Sequence, residues 1–440
     1  MLLQKPAFLL FYHARAAEAS FGEWLGVLWH GLSLDCTVAG YVTAFPVLVA
    51  LASFWIPLSQ RVWRIVLTVY FSLIALVTAA IFAVDLNLYG YWGFRLDGSV
   101  LIYLSDPGEA LASASWGEVL RQILIMLVYA GAMIWSYRWI LRLFRVEPVP
   151  LRGRIVPTVA ALLIGGLTFL AIRGGVTVAT ANVSKVYFSS NMFLNHAATN
   201  PVFSFLSSVG DNENYAEAYP FFEEERRKTL FEELRGNRPG ADAGTPRLLR
   251  SDRPNVVLIL LESFGRTIMD ETVNGEPVMP NMQRFKREGV WFENFFANSF
   301  RTDRGQVAVL CGFPAQTTMS IMKLPRKSAT LPSLARSLGR EGYRSAFMYG
   351  GDLNFTNQAS FMYSTGWEKL IWQKDMQLDA PTSKWGYADD VVVDLFGDEV
   401  EALGREEQPF LAGLLTLSSH EPFEVPFAKF DDKLLNAMAF

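Results

Sequence analysis

Glu262 and Thr302 are the two residues whose types and setting could do chemistry together. Glu262 follows the apolar run 256–261, and Thr302 lies where a turn precedes a helical pattern. A glutamate offers the oxygen ligands that hard divalent cations prefer, and a bound cation would lower the pKa of a nearby hydroxyl. A hydroxyl at a helix start also lies near backbone N–H groups that favour phosphate. The pair predicts half of a metal site, with Thr302 as a nucleophile attacking a tetrahedral oxyanion group.

Four predicted strands each end at a polar side chain. The strands cover residues 256–261, 290–296, 343–349 and 409–417, and the residues that follow them are Glu262, Thr302, Asp352 and His420. A glutamate after a strand is usually a cap, and a single histidine is usually structural. In open α/β sheets, however, ligands bind beyond the carboxyl ends of the strands. Four such groups at one edge therefore predict an active site.

Arg301 and Arg304 flank Thr302. A guanidinium binds phosphate oxygens bidentately, so either arginine could hold a transferred group. Each could equally form a surface ion pair, and the sequence leaves both roles open. Cys311 lies in the helix predicted after Thr302 and is expected to be a core residue.

The second half of the chain alternates strand and helix patterns, which predicts an α/β domain with a mainly parallel sheet. The six apolar residues 256–261 predict a strand buried on both faces. The predicted helices cover residues 280–289, 306–311 (beginning after Thr302), 331–341 and 389–403.

The first 175 residues are strongly apolar and predict a multi-pass membrane domain. A span needs about 20 apolar residues, and four stretches qualify: 37–58, 66–88, 120–144 and 155–172. A fifth stretch, 6–12, is too short to span. It is either an interfacial N-terminus or the end of a truncated first span. Asp35 and Asp85 lie near predicted span ends, as interfacial anchors or as functional groups.

Loop charges predict the orientation. The basic loops carry Arg61, Arg64, Arg142, Arg145, Arg152 and Arg154, whereas the loop 89–119 carries Asp97, Asp106, Glu109 and Glu118 against Arg95. Because cytoplasmic loops are enriched in Lys and Arg, residues after about 173 should lie outside. Residues 176–254 form a predicted extracytoplasmic linker, followed by a catalytic domain at 255–440.

The linker contains an aromatic stretch, a charged stretch and a turn-rich stretch. Residues 182–208 predict an amphipathic segment on the outer surface, with His196 as a surface or packing residue. Residues 219–235 predict a charged helix, and residues 236–246 a turn-rich connection.

The net charge of −4 and the absence of a long basic block give no sign of a nucleic-acid partner. With two cysteines, the sequence gives no sign of a disulfide framework.

Five motifs resemble the lipoteichoic acid synthase family of the sulfatase and alkaline-phosphatase superfamily. They are residues 255–264, 279–282, 302–305, 349–355 and 416–423. The resemblance implies an extracytoplasmic α/β/α sandwich anchored in a bacterial cytoplasmic (inner) membrane. It also implies transfer of glycerol phosphate from phosphatidylglycerol through a threonine intermediate, with Mn²⁺ or Mg²⁺ as cofactor and a glycolipid or glycan as acceptor.

The same resemblance implies roles for individual residues. Thr302 would be the nucleophile and a metal ligand, Glu262 a metal ligand, and His420 a substrate-binding residue. Asp352 and Asn357 bound a segment in the place of the family's substrate loop. That segment lacks the Trp and Arg found in well-known members, so the acceptor stays open.

The chain departs from the family after His420. Members complete the metal site with a later Asp-His pair, and no histidine follows His420 here. We therefore expect a C-terminally truncated catalytic domain with weak or absent metal binding. Asp431 and Asp432 could substitute as ligands, but a helix N-terminus is the expected role.

Three interpretations compete with phosphoglycerol transfer. A sulfatase would need Cys or Ser where Thr302 stands, which weakens that alternative. Phosphoethanolamine transferases also use a threonine and remain open, together with other phosphatase-like hydrolases. The third interpretation is a membrane pseudoenzyme that binds lipid head groups without turnover.

Overall fold

The protein is described by a computed structural model over residues 3–101, 116–145, 150–209, 220–235, 249–316 and 319–440. Some predictions fall elsewhere: Asp106, Glu109, residues 236–246 and the side chain of Arg152 lie outside the described residues.

The described residues form the following helices and strands, each numbered in chain order. The helices are α1 (Gln4–Phe11), α2 (His13–Ala16), α3 (Phe21–Ser53), α4 (Gln60–Trp92), α5 (Trp116–Leu143), α6 (Ile155–Arg173), α7 (Met192–Ala198), α8 (Pro201–Ser208), α9 (Glu224–Arg235), α10 (Arg266–Met269), α11 (Pro280–Glu288), α12 (Thr302–Cys311), α13 (Pro325–Ser328), α14 (Leu334–Arg340), α15 (Gln358–Ser364), α16 (Asp389–Gly404) and α17 (Lys433–Ala439). The strands are β1 (Val256–Leu260), β2 (Thr272–Val273), β3 (Glu276–Pro277), β4 (Arg344–Tyr349), β5 (Lys369–Trp372) and β6 (Phe410–Leu415).

Four of these helices, α3 to α6, are long and apolar enough to cross a membrane. The first begins well before the predicted residue 37, because Ser20 and Glu23 form a capping box at its start. Its 33 residues give a length of about 50 Å, more than the roughly 30 Å hydrocarbon core. Helix α3 packs against α6, and α4 packs against α5. The eight-residue α1 is too short to span and buries Phe8 and Leu9.

Asp35 and Asp85 are both buried, and their role as interfacial anchors or as functional groups stays a prediction. Asp35 pairs with Lys5 Nζ at 2.6 Å and accepts a hydrogen bond from Asn200 at 2.7 Å. Asp85 pairs with Arg95 at 3.0 Å. A buried carboxylate must be paired and hydrogen-bonded to offset its lost hydration. The partners of Asp35 lie 30 and 165 residues from it in the chain.

The linker segment 182–208 is part of the core rather than a surface layer. Leu194 and Val202 are buried in one apolar cluster with Phe8 of α1 and Leu34 of α3. His196 is buried in the same region, and its Nδ1 lies 3.1 Å from Tyr89 Oη. The prediction of an outer-surface segment is therefore wrong, whereas the packing role of His196 is confirmed. The linker joins the membrane helices to the domain that follows.

The second half is an α/β/α sandwich built on a parallel sheet of order β1-β6-β4-β5. Helices α12, α14 and α15 cover one face, and α16 covers the other. The register aligns the four carboxyl ends, since Tyr349 pairs with both Leu415 and Trp372, and Leu260 pairs with Leu415. Parallel strands deliver the residues after them to one edge of the sheet. The predicted fold class is confirmed.

Two strand predictions fail. Residues 290–296 form no strand, and Phe292 and Phe296 are 70% and 83% exposed. A strand needs a neighbouring edge for its N–H and C=O groups, and no described strand pairs with this segment. Strand β1 is at the sheet edge, with Val257 and Ile259 about half exposed, and so is not buried on both faces.

The core of the sandwich depends on one close glycine position. Gly413 of β6 faces the buried rings of Phe347 and Trp367, which meet edge to face at 5.2 Å. A Cβ at Gly413 would lie 2.7 Å from Phe347 and 2.8 Å from Trp367. The absence of a side chain lets both rings pack directly on the central strand.

Candidate active site

Glu262 is held at the end of β1 by residues at the end of β6. Its backbone N–H donates to Thr416 Oγ1 at 2.8 Å, and its carbonyl oxygen accepts from Ser419 Oγ at 2.5 Å. The next residue, Ser263, has a φ of 59°. A non-glycine residue in this left-handed region is uncommon and carries local strain. The chain therefore turns sharply just after Glu262, with the carboxylate fixed from its backbone.

Thr302 is the first residue of α12 and lies beside Glu262. Its Oγ1 donates a hydrogen bond to Glu262 Oε2 at 2.9 Å. The first bonds within the helix are made by the N–H groups of Arg304 and Gly305, both to the Arg301 carbonyl. The N–H groups that precede them, with the helix dipole, favour an anion near the Thr302 hydroxyl. The two residues predicted to act together are thus brought together, although Thr302 follows a loop rather than a strand.

The two flanking arginines point to different surroundings. Arg301 is half exposed, and its Nε lies 3.8 Å from Asp303 Oδ1, a long ion pair. The Arg304 guanidinium lies 5.9 Å from the centre of the Phe300 ring. Arg301 also lines a large cavity that is described below.

His420 lies at the end of β6 against a tryptophan that the sequence did not single out. Its ring centre is 4.5 Å from that of Trp385, and its Nδ1 is 2.9 Å from the Glu421 carbonyl oxygen. A carbonyl can only accept, so Nδ1 carries the proton in the neutral ring and Nε2 is left as an acceptor. Trp385 also contacts Phe355, at 5.7 Å between ring centres. An indole thus links the 352–357 segment to His420, although that segment has no tryptophan of its own.

Asp352 and Asn357 occupy the loop after β4. Asp352 Oδ1 accepts hydrogen bonds from the backbone N–H and the side-chain Nδ2 of Asn354, both at 2.9 Å. These bonds shape the loop. Asn357 has a φ of 64° and is 9% exposed. The structure therefore gives Asp352 a local architectural role and places Asn357 in the cavity wall.

Asp389 supports the site and was missed in the sequence. Its two carboxylate oxygens accept from the backbone N–H groups of Leu417 and Ser418, each at 2.8 Å. Burial raises the pKa of Asp389, and these hydrogen bonds act in the opposite direction. The bonds tie α16 to the segment that carries His420. An acidic residue at the start of a predicted helix was the only available signal.

Several carboxylates act on the hydroxyl of Tyr349. Burial raises the pKa of Tyr349, the last residue of β4, and the carboxylates of Glu262, Asp389 and Asp352 raise it further. Burial likewise raises the pKa of Cys311 to about 11, and Cys311 is buried as a core residue, as predicted. Carboxylates that follow β1 and β4, and one at the start of α16, therefore act on one tyrosine hydroxyl.

The described residues fit one side of a cation site. Glu262 and Thr302 supply two adjacent oxygen donors, whereas hard divalent cations take about six oxygens or more. Among the residues that the structure describes, no group of three or more His, Cys, Asp or Glu side chains is placed to hold a metal. Asp432 instead caps α17, accepting from the N–H groups of Leu434 and Leu435.

The comparisons with known proteins cover the same part of the chain. Residues 254–436 match the sulfatase family model. Phosphoglycerol transferase I from Xanthomonas axonopodis pv. citri is 34% identical over 181 residues, which is 39% of this chain and 26% of that protein. Lipoteichoic acid synthase 1 from Bacillus subtilis is 31% identical over 191 residues, 39% of this chain and 27% of that protein.

A solved structure of an alkaline phosphatase superfamily protein from Vibrio parahaemolyticus aligns with a TM-score of 0.40 and 28% identity, over 43% of this chain and 48% of that one. The match to the curated relatives spans about a quarter of their length. The predicted resemblance to the sulfatase superfamily and its lipoteichoic acid synthase members is confirmed. Members of this superfamily are generally metal-dependent, and the sulfatase-like domain here follows four long apolar helices.

Proposed function

We propose that this protein is a membrane-anchored transferase that moves phosphoglycerol from phosphatidylglycerol through an intermediate on Thr302. The observation that supports this most is the 2.9 Å hydrogen bond from Thr302 Oγ1 to Glu262 Oε2 at the start of α12. A hydroxyl at a helix start, bonded to a carboxylate, suits attack on a phosphodiester. The curated relatives named phosphoglycerol transferase and lipoteichoic acid synthase support the same substrate class.

The first step forms a bond between Thr302 Oγ1 and the phosphorus of the lipid. The bond from phosphorus to the diacylglycerol oxygen breaks, and diacylglycerol leaves with a proton. In the second step the hydroxyl of a glycolipid or glycan acceptor attacks the same phosphorus, and the Thr302 oxygen leaves and regains a proton. The neutral His420 ring offers Nε2 as an acceptor for a hydroxyl of the glycerol group.

Glu262 and Thr302 would supply oxygen ligands to one side of a divalent cation, Mn²⁺ or Mg²⁺. Such a cation supplies positive charge that favours the deprotonated hydroxyl and the phosphoryl oxygens. Glu262 is suited to this because its backbone is fixed by Thr416 and Ser419. Arg301 and Arg304 remain proposed contacts for phosphate oxygens, as do Asp352 and Asn357 for the glycerol group.

The donor is tested with the full-length protein in vesicles that contain phosphatidylglycerol and Mn²⁺. Release of diacylglycerol should occur with the natural residue, persist in Thr302→Ser at a reduced rate and be lost in Thr302→Ala. Turnover of phosphatidylethanolamine but not of phosphatidylglycerol would mean that phosphatidylethanolamine is the donor. Unchanged turnover in Thr302→Ala would remove Thr302 as nucleophile, and no turnover of either lipid would favour a pseudoenzyme.

We also propose that the sulfatase-like domain lies outside a bacterial cytoplasmic membrane. The basic residues Arg61, Arg64, Arg142 and Arg145 next to the ends of three long helices support this orientation. Reporter fusions at residue 58 and residue 176 test it. A cytoplasmic reporter should be active only at the first position and a periplasmic reporter only at the second, and the reverse pattern would contradict the orientation.

A further inference from the structure

A cavity of about 730 Å³ lies between the membrane half and the sulfatase-like domain. Its walls come from residues 94–99 after α4, from the linker at 178–208, and from residues 323–327 and 355–357 of the domain. Its size is within the roughly 300–1,000 Å³ that holds a ligand of drug size. Arg301 in its wall is the residue that precedes Thr302 in the chain.

The cavity wall is strongly cationic. Among the residues that line it, the charged side chains are Arg95, Arg301, Lys323, Arg326, Lys327 and Asp97. Arg326 is paired with Asp97, at 3.2 Å. Arg95 pairs with Asp85 at 3.0 Å, and Arg301 lies 3.8 Å from Asp303. Lys323 and Lys327 form no ion pair among the residues that the structure describes, and their charge favours an anionic occupant.

Three buried polar side chains in the wall have unsatisfied atoms. Arg95, His196 and Asn357 are 2%, 4% and 9% exposed. Arg95 Nε and Nη1, His196 Nε2 and Asn357 Oδ1 have no hydrogen-bond partner among the described residues. Buried polar groups are nearly always satisfied, so such a cluster around one cavity is a sign of a polar ligand. Donors on Arg95 suit a phosphate, and the Asn357 oxygen suits a hydroxyl.

The same wall has an apolar portion. Phe94, Phe203 and Leu324 line the cavity, and Phe94 directly follows the glycine that ends α4. This part of the wall is therefore close to one end of α4. Cations beside apolar walls at this position suit an amphiphile better than a free inorganic anion.

We infer that this cavity binds the phosphate-ester head group of an anionic glycerophospholipid through residues of both halves of the protein. The lysines Lys323 and Lys327 and the guanidinium of Arg95 face the phosphate, and Asn357 accepts from a head-group hydroxyl. The assignment rests on the proposed function for its link to the reaction, because Arg301 in the cavity wall is the residue before Thr302. Binding itself does not depend on turnover.

The test measures lipid binding to the purified full chain in zwitterionic detergent, by native mass spectrometry. The probes are dioctanoyl phosphatidylglycerol, dioctanoyl phosphatidylcholine and free glycerol phosphate. We expect the phosphatidylglycerol to bind best, and the exposed pair Lys323→Gln and Lys327→Gln to weaken it by about tenfold, as loss of charge-assisted contacts predicts. The matched control is Lys228→Gln with Lys369→Gln, two exposed lysines elsewhere that remove the same charge.

Each other outcome has a defined meaning. The site would be overturned if the control lysine variants weakened lipid binding as much as the cavity lysine variants did. It would also be overturned if the cavity lysine variants did not weaken lipid binding. Glycerol phosphate binding as tightly as the lipid, or equal binding of phosphatidylcholine, would overturn the anionic lipid as occupant. Thr302→Ala should keep full binding. If Thr302→Ala binds lipid fully while no variant releases diacylglycerol, the lipid site in the cavity stands and the proposed function fails. If release depends on Thr302 but the cavity variants bind lipid normally, the proposed function stands and the cavity site fails.

Discussion

Thr302 Oγ1 and Glu262 Oε2 lie 2.9 Å apart although 40 residues separate them in the chain. The contact exists because β1 ends at the same sheet edge where α12 begins. Four further bonds hold the surroundings: Thr416 and Ser419 fix the backbone of Glu262, and Asp389 fixes Leu417 and Ser418. The pair is thus supported from β6 and α16.

Glu262→Gln should lower diacylglycerol release by about 10²–10⁴-fold, because the amide keeps the shape but removes the charge. The backbone bonds to Thr416 and Ser419 do not involve the carboxylate, so thermal unfolding should be unchanged. Turnover and a melting curve are measured together. A variant that melts much earlier, or that retains full turnover, would contradict a role in chemistry.

Thr416→Val should separate positioning from chemistry. Valine has the shape of threonine but cannot accept from the Glu262 N–H, whose loss costs about 1–3 kcal/mol. We expect a lower melting temperature and a lower kcat. Thr416→Ser retains the acceptor oxygen and is the matched control. Equal behaviour of the two variants would show that this hydrogen bond does not position Glu262.

Gly413→Ala should destabilise the sulfatase-like domain by about 1–3 kcal/mol, because the new Cβ overlaps two fully packed rings. The control is Gly397→Ala in α16, where nothing lies within 4 Å of the new Cβ. That change should be neutral or stabilising by about 1 kcal/mol, since alanine favours a helix. Denaturant unfolding measures the stability of both variants. Equal losses of stability would refute the packing argument.

The buried His196 should make stability fall in acid. Burial, with smaller contributions from Arg95 and Arg15, lowers the pKa of His196 to about 3 from 6.5. The unfolded chain therefore takes up a proton below about pH 6.5 that the folded chain takes up only near pH 3. Stability is fully present above pH 6.5 and falls towards pH 3, by at most about 1.4 kcal/mol per pH unit.

Melting temperatures between pH 7 and pH 4 measure this effect. His196→Gln keeps a polar side chain without the titration, so its melting temperature should depend less steeply on pH, whatever its absolute value. Parallel pH slopes for the two proteins would mean that His196 does not contribute.

The sequence by itself predicted the fold class of the protein and the two residues that we propose to react together. Apolar runs of sufficient length predict membrane helices from local composition alone. The alternation of strand and helix patterns predicts the parallel sheet, and the residues after its strands lie at one edge because parallel strands share a direction. Glu262 and His420 could be found in this way, whereas Thr302 was found from the helical pattern that begins there.

Only the tertiary structure decided what depends on partners far along the chain. Residues 290–296 have strand-like composition but pair with no strand among the residues that the structure describes, whereas the short β5 pairs with β4. Trp385 reaches His420 across the loops, and Lys5 and Asn200, which lie 30 and 165 residues from Asp35, keep that carboxylate buried. The cationic cavity between the two halves likewise arises from segments that meet only after folding, because burial and pairing are properties of the packed chain.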